Sequence, residues 1–436
     1  MKVLILAAGR SKRMNPIKDK NFLNFLGKPL IKWQLEMLKE AGLDDVILVG
    51  GKHNLDDLID LTQTLKMDIE VVEQKDLNKG MCGAILAAKD KINKEEVLIF
   101  SSNDVVDKSA FELIQDAAAR GDADSYILGK KVVEYFPGGY LEVNEKGLIR
   151  RIVEKPAPGT EPGDMVNLVI HLHKNSEGLI TALESVKSKK DDLYEVALDN
   201  LIKSGMKMKA VSYEGFWQPI KYPWHIHKIF RYLFDKSNKG IGRFTDIADD
   251  ATIKGEVIIG NYVRIFEGAV VNGPVYVGDY SVIANNALVR NCHIGQDCVI
   301  GYCSEIARSY LGNDVWSHTN YIGDSVIGNN VSFGAGSVTG NLRLDEYNVL
   351  FKYGNEKIDT GLKKFGLVCG DNVRIGVNTS FMPGVKIGSD SFIGAGVVIG
   401  KDVPENSYAR GKFELKISKN RSTADKSDRE ELKKKL

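Results

Sequence analysis

The chain has 436 residues, with 59 lysines and arginines against 58 aspartates and glutamates, and a net charge of +1. This length predicts two domains, and the balanced charge argues against a nucleic-acid-binding protein or one that lies on a membrane surface. No apolar run approaches the roughly 20 residues of a membrane-spanning helix, and the five cysteines form no CxxC pair, which predicts a reduced, cytoplasmic protein.

The first half of the chain alternates short aliphatic runs with stretches of helical periodicity. This alternation predicts an α/β domain with a mostly parallel sheet, which binds ligands at the carboxyl ends of its strands. The predicted strands are residues 3–6, 46–49, 69–72, 97–100 and 166–171. The predicted helices are residues 30–41, 55–65, 83–91 and 109–119.

A turn of small residues, Ala7 to Gly9, follows the first predicted strand and leads into a basic loop. Small residues let backbone N–H groups approach an anion. The cations of the loop suit a triphosphate or pyrophosphate. They are Arg10, Lys12, Arg13 and Lys20. Taken alone, the same residues also fit a solvent-exposed loop without a ligand.

The order of motifs over residues 1–235 resembles that of the sugar-1-phosphate nucleotidylyltransferases. The matching residues are Leu6-Ala7-Ala8-Gly9, Arg13-Met14, Pro16, Lys20, Gly27-Lys28-Pro29-Leu30, Gln74, Gly80, Gly83-Ala84, Asn103-Asp104, Gly139, Val153-Glu154-Lys155-Pro156, Asn167 and Pro223-Trp224. The resemblance implies a Rossmann-like domain in which a sugar phosphate oxygen attacks the α-phosphorus of a nucleoside triphosphate and pyrophosphate leaves. Such a reaction depends on positioning and on charge neutralisation.

The resemblance also implies a role for each matching residue. Ala8 and Gly9 would approach the triphosphate, with Arg13 on the leaving phosphates and Lys20 on the α-phosphate. The base would be read at Gln74 and Gly80. Asp104 would ligate Mg²⁺. The sugar 1-phosphate would be held by four residues, Gly139, Glu154, Lys155 and Asn167.

Several positions depart from the family pattern. Ser11 and Lys12 stand where the family has Gly-Thr, and Asn103 stands where it has a glycine. Pro219 falls at or near a late aspartate that often serves as a second metal ligand. A proline side chain cannot ligate a metal, so the resemblance supports only one carboxylate ligand here.

A six-residue period organises the second half. Five large apolar residues recur at this spacing, and glycine follows four of them. They are Ile375, Phe381, Ile387, Ile393 and Ile399. The period predicts a left-handed parallel β-helix of hexapeptide repeats, with looser copies running back to residue 258.

We therefore divide the chain into a nucleotidylyltransferase domain (1–235), a linker (236–245), a β-helix domain (246–410) and a charged tail (411–436). The tail is predicted to be disordered or a fraying helix. A helix over 224–236 is predicted to join the two domains.

The repeats break at residues 340–365, a polar excursion, and this region resembles the acetyltransferase half of bifunctional N-acetylglucosamine-1-phosphate uridylyltransferases and their archaeal relatives. The resemblance implies that His318 is the general base toward the sugar amine. Tyr321 and Asn341 would place the amino-sugar phosphate. Phosphates would be met either by Arg308 or by the group of Lys352, Lys357, Lys363 and Lys364. Ala335 would lie against acetyl-CoA. A homotrimer is the expected assembly.

The main hypothesis is a bifunctional enzyme of nucleotide-sugar synthesis. It would transfer a nucleotidyl group from UTP or dTTP to a hexose or N-acetylhexosamine 1-phosphate, and acetylate glucosamine or galactosamine 1-phosphate from acetyl-CoA. Two alternatives stay open. One is a nucleotidylyltransferase whose β-helix only oligomerises. The other is a non-catalytic regulatory subunit that binds sugar nucleotides. The sequence does not choose the base or the sugar epimer.

Overall fold

The computed structural model describes residues 1–188, 192–412, 416–419 and 433, so most of the predicted tail lies outside the described residues. The first half is an α/β domain around one twisted sheet. Its main strand order is Ile149–Glu154, Gly139–Val143, Met165–His173, Val97–Ser101, Lys2–Leu6, Asp45–Gly50 and Asp68–Glu73. Ser125–Lys131 pairs with Met165–His173 and with Met208–Ser212.

The central strands of this sheet are continuous aliphatic runs because helices cover both faces. Lys2–Leu6 runs parallel to Asp45–Gly50 and to Val97–Ser101. Met165–His173 runs antiparallel to all of its neighbours, so the sheet is more mixed than the sequence predicted. The helices are Leu30–Glu40, Leu55–Gln63, Gly80–Ala87, Lys89–Ile92, Ser109–Ala119, Glu177–Ser185 and Leu193–Lys203, with short 3-10 turns at Lys12–Met14, Lys20–Phe22 and Leu77–Lys79. Two small pairings complete the domain, Asn24–Phe25 with Lys28–Pro29 and Asp104–Val106 with Trp217–Pro219.

The second half is the predicted left-handed parallel β-helix, and its coils stack three faces. The first face consists of Asp246–Ile247, Arg264–Ile265, Val282–Ile283, Val299–Ile300, Val315–Trp316, Val331–Phe333, Arg374–Ile375, Phe392–Ile393 and Tyr408–Ala409. The second consists of Thr252–Lys254, the first parts of Val270–Val277 and Leu288–Ile294, and then Glu305–Ala307, Tyr321–Gly323, Val338–Thr339, Ser380–Phe381 and Val398–Ile399. The third consists of Gly240–Ile241, Val257–Ile259, the last parts of the same two long strands, Tyr310–Leu311, Val326–Ile327, Val368–Cys369 and Lys386–Ile387.

The six-residue period arises because each face directs one aliphatic side chain per coil into a shared core. Ile375, Phe381, Ile387, Ile393 and Ile399 all belong to this core. The excursion leaves the β-helix between the second and third faces, and it forms an antiparallel hairpin of Leu350–Tyr353 and Glu356–Asp359.

The connecting helix, His225–Lys236, joins the two halves through an apolar interface. Its buried side chains share one contiguous cluster with outward residues of the third face and with residues of the first half. The cluster includes Phe25, Leu30, Ile226, Ile229, Phe230, Leu233, Phe234, Tyr276, Tyr310, Val326 and Val368. The imidazole Nε2 of His293 accepts a hydrogen bond from the backbone N–H of Leu26 at 3.1 Å, and the Tyr310 hydroxyl donates to the Asn24 carbonyl at 2.9 Å. In the described part of the chain, every helix is too short or too polar to cross a membrane.

Candidate active sites

The first candidate site is an open cavity of about 650 Å³ beside the carboxyl ends of the parallel strands. Every residue of the first half to which the resemblance assigns a role lines this cavity. These residues are Ala8, Gly9, Arg13, Lys20, Gln74, Gly80, Asp104, Gly139, Glu154, Lys155 and Asn167. The fold therefore brings together motifs that are spread over 160 positions, as expected at the carboxyl edge of an α/β sheet.

The basic loop adopts a compact shape at one end of the cavity. Ser11 is in the left-handed region, with φ of 50°, immediately before the turn Lys12–Met14. This conformation is costly for a residue with a side chain. The Ser11 hydroxyl accepts a hydrogen bond from the backbone N–H of Lys20 at 3.3 Å. The serine that replaces a family glycine thus links the two basic segments of the loop.

Lys20 is buried at the floor of the cavity. The pKa of its ammonium group is lowered to about 8, mainly by burial and also by the charge of Arg13. The charge of Asp19 acts in the opposite direction and raises this pKa. An incompletely solvated cation gains more from an anionic ligand than an exposed one does. The position therefore favours a phosphate group next to Lys20.

Asp104 is a buried carboxylate of this site. Burial raises its pKa, while the hydrogen bond from the Trp217 indole and the charges of Lys221 and Lys20 act in the opposite direction. The indole Nε1 lies 2.7 Å from Oδ1 of Asp104. Pro219 lies directly opposite Asp104 in the two-stranded pairing, so the chain offers a proline where a second carboxylate would face the first.

The residues around Asp104 limit how a metal could be held. Among the described residues, no group of three His, Cys, Asp or Glu side chains could hold a metal ion. Mg²⁺ in phosphate-transfer sites is often held by one or two carboxylates together with substrate phosphates and water. Asp104 together with substrate phosphates therefore fits Mg²⁺ that arrives with a triphosphate, rather than a permanently bound ion.

Gly139, Glu154 and Asn167 meet on neighbouring strands at the other end of the cavity. A Cβ atom on Gly139 would lie 3.0 Å from the Glu154 carboxylate, so glycine keeps this corner open. The Asn167 Oδ1 lies 2.8 Å from Nε2 of buried His171, whose Nδ1 lies 2.7 Å from the Tyr194 hydroxyl. Burial lowers the pKa of His171 to about 3, so this imidazole is neutral and donates to the Asn167 oxygen. The arrangement leaves the Asn167 amide nitrogen available to a ligand.

Gln74 shapes the segment predicted to read the base. Its side-chain amide donates to the backbone carbonyls of Asp76 and Gly80, both at 2.9 Å. A Cβ atom on Gly83 would lie 2.6 Å from this amide, so glycine is required for the close approach.

The second candidate site lies at the corner between the second and third faces of the β-helix, where the excursion begins. The Arg308 guanidinium donates two hydrogen bonds of 2.7 Å to the two carboxylate oxygens of Asp324. The Asn341 amide donates to the same carboxylate at 2.5 Å and lies 3.0 Å from the Tyr321 hydroxyl. The structure therefore brings Arg308, Tyr321 and Asn341 together, and Asp324 is the residue that joins them.

His318 and Ala335 lie at the opposite corner, between the first and second faces. Both side chains are exposed. The backbone N–H of Gly336 donates to the Thr319 carbonyl at 2.8 Å, which places Ala335 one coil away from His318. Tyr321 begins the intervening strand, and its hydroxyl points toward the Arg308 corner.

Sequence reasoning missed several residues of these sites. Asp324 stands three positions after Tyr321, within the stretch that carried the resemblance, and this spacing could have identified it. Lys221 lines the first cavity two positions after Pro219, and burial lowers its pKa to about 8. Tyr353 lines the same cavity although it belongs to the excursion, and its sequence context gave no signal.

Comparison with known proteins gives a consistent result for the whole chain. Residues 2–220 match the family described as nucleotidyl transferase, and residues 256–291 and 366–401 match the bacterial transferase hexapeptide repeats. A bifunctional sugar-1-phosphate nucleotidylyltransferase/acetyltransferase from Sulfurisphaera tokodaii is 34% identical over 92% of this chain and 98% of its own length. The bifunctional protein GlmU from Methanocaldococcus jannaschii is 32% identical over 95% of this chain and 98% of its own length. A solved UDP-glucose pyrophosphorylase with UDP-glucose aligns with 54% of this chain and 99% of its own, with 20% identity and a TM-score of 0.48.

Proposed function

Since the chain belongs to the family of bifunctional sugar-1-phosphate nucleotidylyltransferase/acetyltransferases, we propose that it couples UTP or dTTP to a hexose or N-acetylhexosamine 1-phosphate and acetylates glucosamine or galactosamine 1-phosphate from acetyl-CoA. The observation that carries this proposal is the presence of two built sites on one chain. One is a cation-lined cavity that contains the buried carboxylate of Asp104, and the other is an arginine–carboxylate corner on a β-helix.

In nucleotidyl transfer, the first cavity positions the two substrates and neutralises charge. Arg13 holds the leaving phosphates and Lys20 the α-phosphate, which the attacking oxygen of the sugar 1-phosphate approaches in line. Lys155 binds the phosphate of the sugar, and Glu154 and Asn167 hydrogen-bond its hydroxyl groups. One P–O bond forms and one breaks, and the electron pair leaves on pyrophosphate.

We propose that Mg²⁺ would bind together with the triphosphate. Asp104 supplies the protein ligand, and the bound ion would neutralise phosphate charge. The Trp217 indole occupies one carboxylate oxygen and so fixes the direction of the other. Lys221 adds a positive charge near Asp104.

In acetyl transfer, the amine nitrogen of the amino sugar attacks the thioester carbonyl of acetyl-CoA. The new C–N bond replaces the C–S bond, and CoA leaves as the thiolate. His318 accepts the amine proton. Arg308, Tyr321 and Asn341 hold the sugar phosphate, and the small residues around Ala335 leave room for the pantetheine arm.

Assembly and location complete the proposal. His318 and Ala335 are exposed in the single chain. A homotrimer, in which a neighbouring copy covers this corner, would supply the missing wall of the site. The five cysteines are unpaired, and this supports a cytoplasmic location.

Separate assays of the two half-reactions test the proposal. Purified full-length protein is given UTP or dTTP with a panel of sugar 1-phosphates and Mg²⁺, and pyrophosphate release is followed. Acetyl-CoA with glucosamine or galactosamine 1-phosphate is assayed in parallel for free CoA. We expect both products, and the variant His318→Ala should lose only CoA release. Absence of pyrophosphate with every pair would refute nucleotidyl transfer, and absence of CoA would leave the β-helix without the proposed activity.

A further inference from the structure

The excursion of the β-helix reaches the cavity of the other domain. The excursion forms a hairpin of Leu350–Tyr353 with Glu356–Asp359. Aromatic rings hold this hairpin against Trp224, the residue before the connecting helix. The ring of buried Phe351 packs edge-on against Trp224 at 5.3 Å, and Phe365, at the end of the excursion, packs against the same indole at 5.9 Å. The hairpin is therefore anchored on the first half of the chain.

This anchor continues to the basic loop of the first cavity. The Trp224 indole stacks on the Tyr222 ring at 4.5 Å, and the Arg13 guanidinium lies 5.6 Å from the centre of that ring. Met14, the residue after Arg13, belongs to the same apolar cluster as Phe351. The hairpin and the basic loop therefore contact one stacked pair of rings, those of Trp224 and Tyr222.

The alternation of side chains along the hairpin directs Tyr353 toward the first half. In a β-strand, residues two apart point to the same side. Phe351 is buried against Trp224, and Lys352, which separates Phe351 from Tyr353 in the sequence, is exposed. Tyr353 consequently lines the cavity, and it is the one lining residue from the β-helix half among the described residues.

The charge of the cavity indicates what the Tyr353 hydroxyl would meet. The basic side chains on the wall outnumber the carboxylates; they are Arg10, Lys12, Arg13, Lys20, Lys79, Lys155 and Lys221, against Asp104, Glu154 and Glu195. Such a cavity concentrates anions, and a phenol hydroxyl donates well to a phosphate oxygen.

We propose that Tyr353 is a substrate-binding residue of nucleotidyl transfer, which donates a hydrogen bond to a phosphate group in the first cavity. The inference rests on the proposed function of that cavity. Its consequence is that the excursion, which starts at Asn341 in one site and carries Tyr353 into the other, belongs to both sites. The phosphate could be that of the triphosphate or that of the sugar, and the two sources can be separated kinetically.

The test uses full-length Tyr353→Phe, which removes only the hydroxyl, and Tyr347→Phe as the matched control. Tyr347 lies on the same excursion, is 73% exposed and does not line the cavity. KM and kcat for pyrophosphate release are measured with varied UTP at fixed N-acetylglucosamine 1-phosphate, and then the reverse. Loss of a hydrogen bond to a charged group should raise one KM by about tenfold. The substrate whose KM rises identifies the phosphate, and the CoA release rate should not change.

The outcomes separate this inference from the proposed function. Tyr353→Phe with both KM values within twofold of the wild type, or Tyr347→Phe with an equal loss, would overturn the assignment of Tyr353. Calorimetric titration with UTP and Mg²⁺, and with the sugar phosphate, provides a second measurement. If the wild type bound these ligands without releasing pyrophosphate, nucleotidyl transfer would be refuted, and the ratio of dissociation constants between wild type and Tyr353→Phe would still decide the role of Tyr353.

Discussion

Replacing Asp324 by asparagine should disturb the acetyl-transfer site while leaving the other half of the protein active. The carboxylate accepts two hydrogen bonds of 2.7 Å from Arg308 and one from Asn341. Asparagine has nearly the same shape and tolerates the left-handed backbone of this corner, where φ is 51°. It can offer only one oxygen to the guanidinium, and its amide nitrogen would face the second donor.

The size of the effect follows from the exposure of the pair. Hydrogen bonds to charged groups contribute about 1.5 to 3 kcal/mol each when shielded from water. The Arg308 side chain is 32% exposed and that of Asp324 is 11% exposed. Solvent therefore screens part of the interaction, and we expect the free energy of unfolding to fall by about 2 kcal/mol. A guanidinium that is no longer held in place should raise KM for glucosamine 1-phosphate by about tenfold.

Denaturant unfolding and acetylation kinetics measure these two effects. KM for acetyl-CoA and the rate of pyrophosphate release should not change in Asp324→Asn. Glu142→Gln is the control, because Glu142 pairs with Arg151 on an exposed hairpin of the first half, where such pairs contribute little. The reasoning would be refuted if Asp324→Asn kept both the wild-type KM for the amino-sugar phosphate and the wild-type stability.

Three further predictions concern other parts of the molecule. Asp104→Asn keeps an acceptor for the Trp217 indole but loses the negative charge, so the rate of pyrophosphate release should fall by at least about a hundredfold. The rate of CoA release should not change. A wild-type rate of pyrophosphate release in this variant would exclude Asp104 as the metal ligand. His318→Gln should lower the rate of acetylation by about 10² to 10⁴-fold without affecting pyrophosphate release, and a small effect would contradict its role as a base. Burial lowers the pKa of His293 to about 4, opposed by its hydrogen bond to the Leu311 carbonyl. The neutral imidazole accepts a hydrogen bond from the backbone N–H of Leu26. Its contribution to stability is therefore complete above pH 6.5 and decreases as the pH falls toward 4, by about 3 kcal/mol at pH 4. Denaturant unfolding between pH 4 and 7 should give a flatter profile for His293→Gln, and an unchanged slope would disprove this account.

The two halves differ in how much of each site could be predicted. In the first half, the residues of the cavity come from segments that directly follow or form strands, and parallel strands carry such segments to one edge of the sheet. Their convergence on one cavity follows from the alternation of strands and helices. The resemblance placed Pro219 near the expected metal ligand Asp104, but their direct pairing could not be predicted, because the register of two short strands depends on their surroundings.

In the β-helix, the six-residue period specifies the architecture but not the identity of the corner partners. Arg308 and Asp324 are sixteen residues apart and meet because they occupy the same corner of successive coils. The varying length of the turns hides this stacking from the sequence. His318, at the opposite corner, could be named only through the resemblance, because an exposed histidine has no local signature.

The sequence by itself determined the two architectures, the order of the nucleotidyl-transfer motifs and the position of the excursion, because these features depend on periodicity and on neighbours along the chain. Only the tertiary structure decided how the halves dock. Leu26 and His293 are 267 residues apart, and Tyr353 reaches a cavity whose other walls lie in the first half. The physical reason is that the docking surfaces are apolar, and apolar burial is not directional. Shape complementarity between the third face, the connecting helix and the hairpin selects one arrangement, and this complementarity exists only once all three have folded.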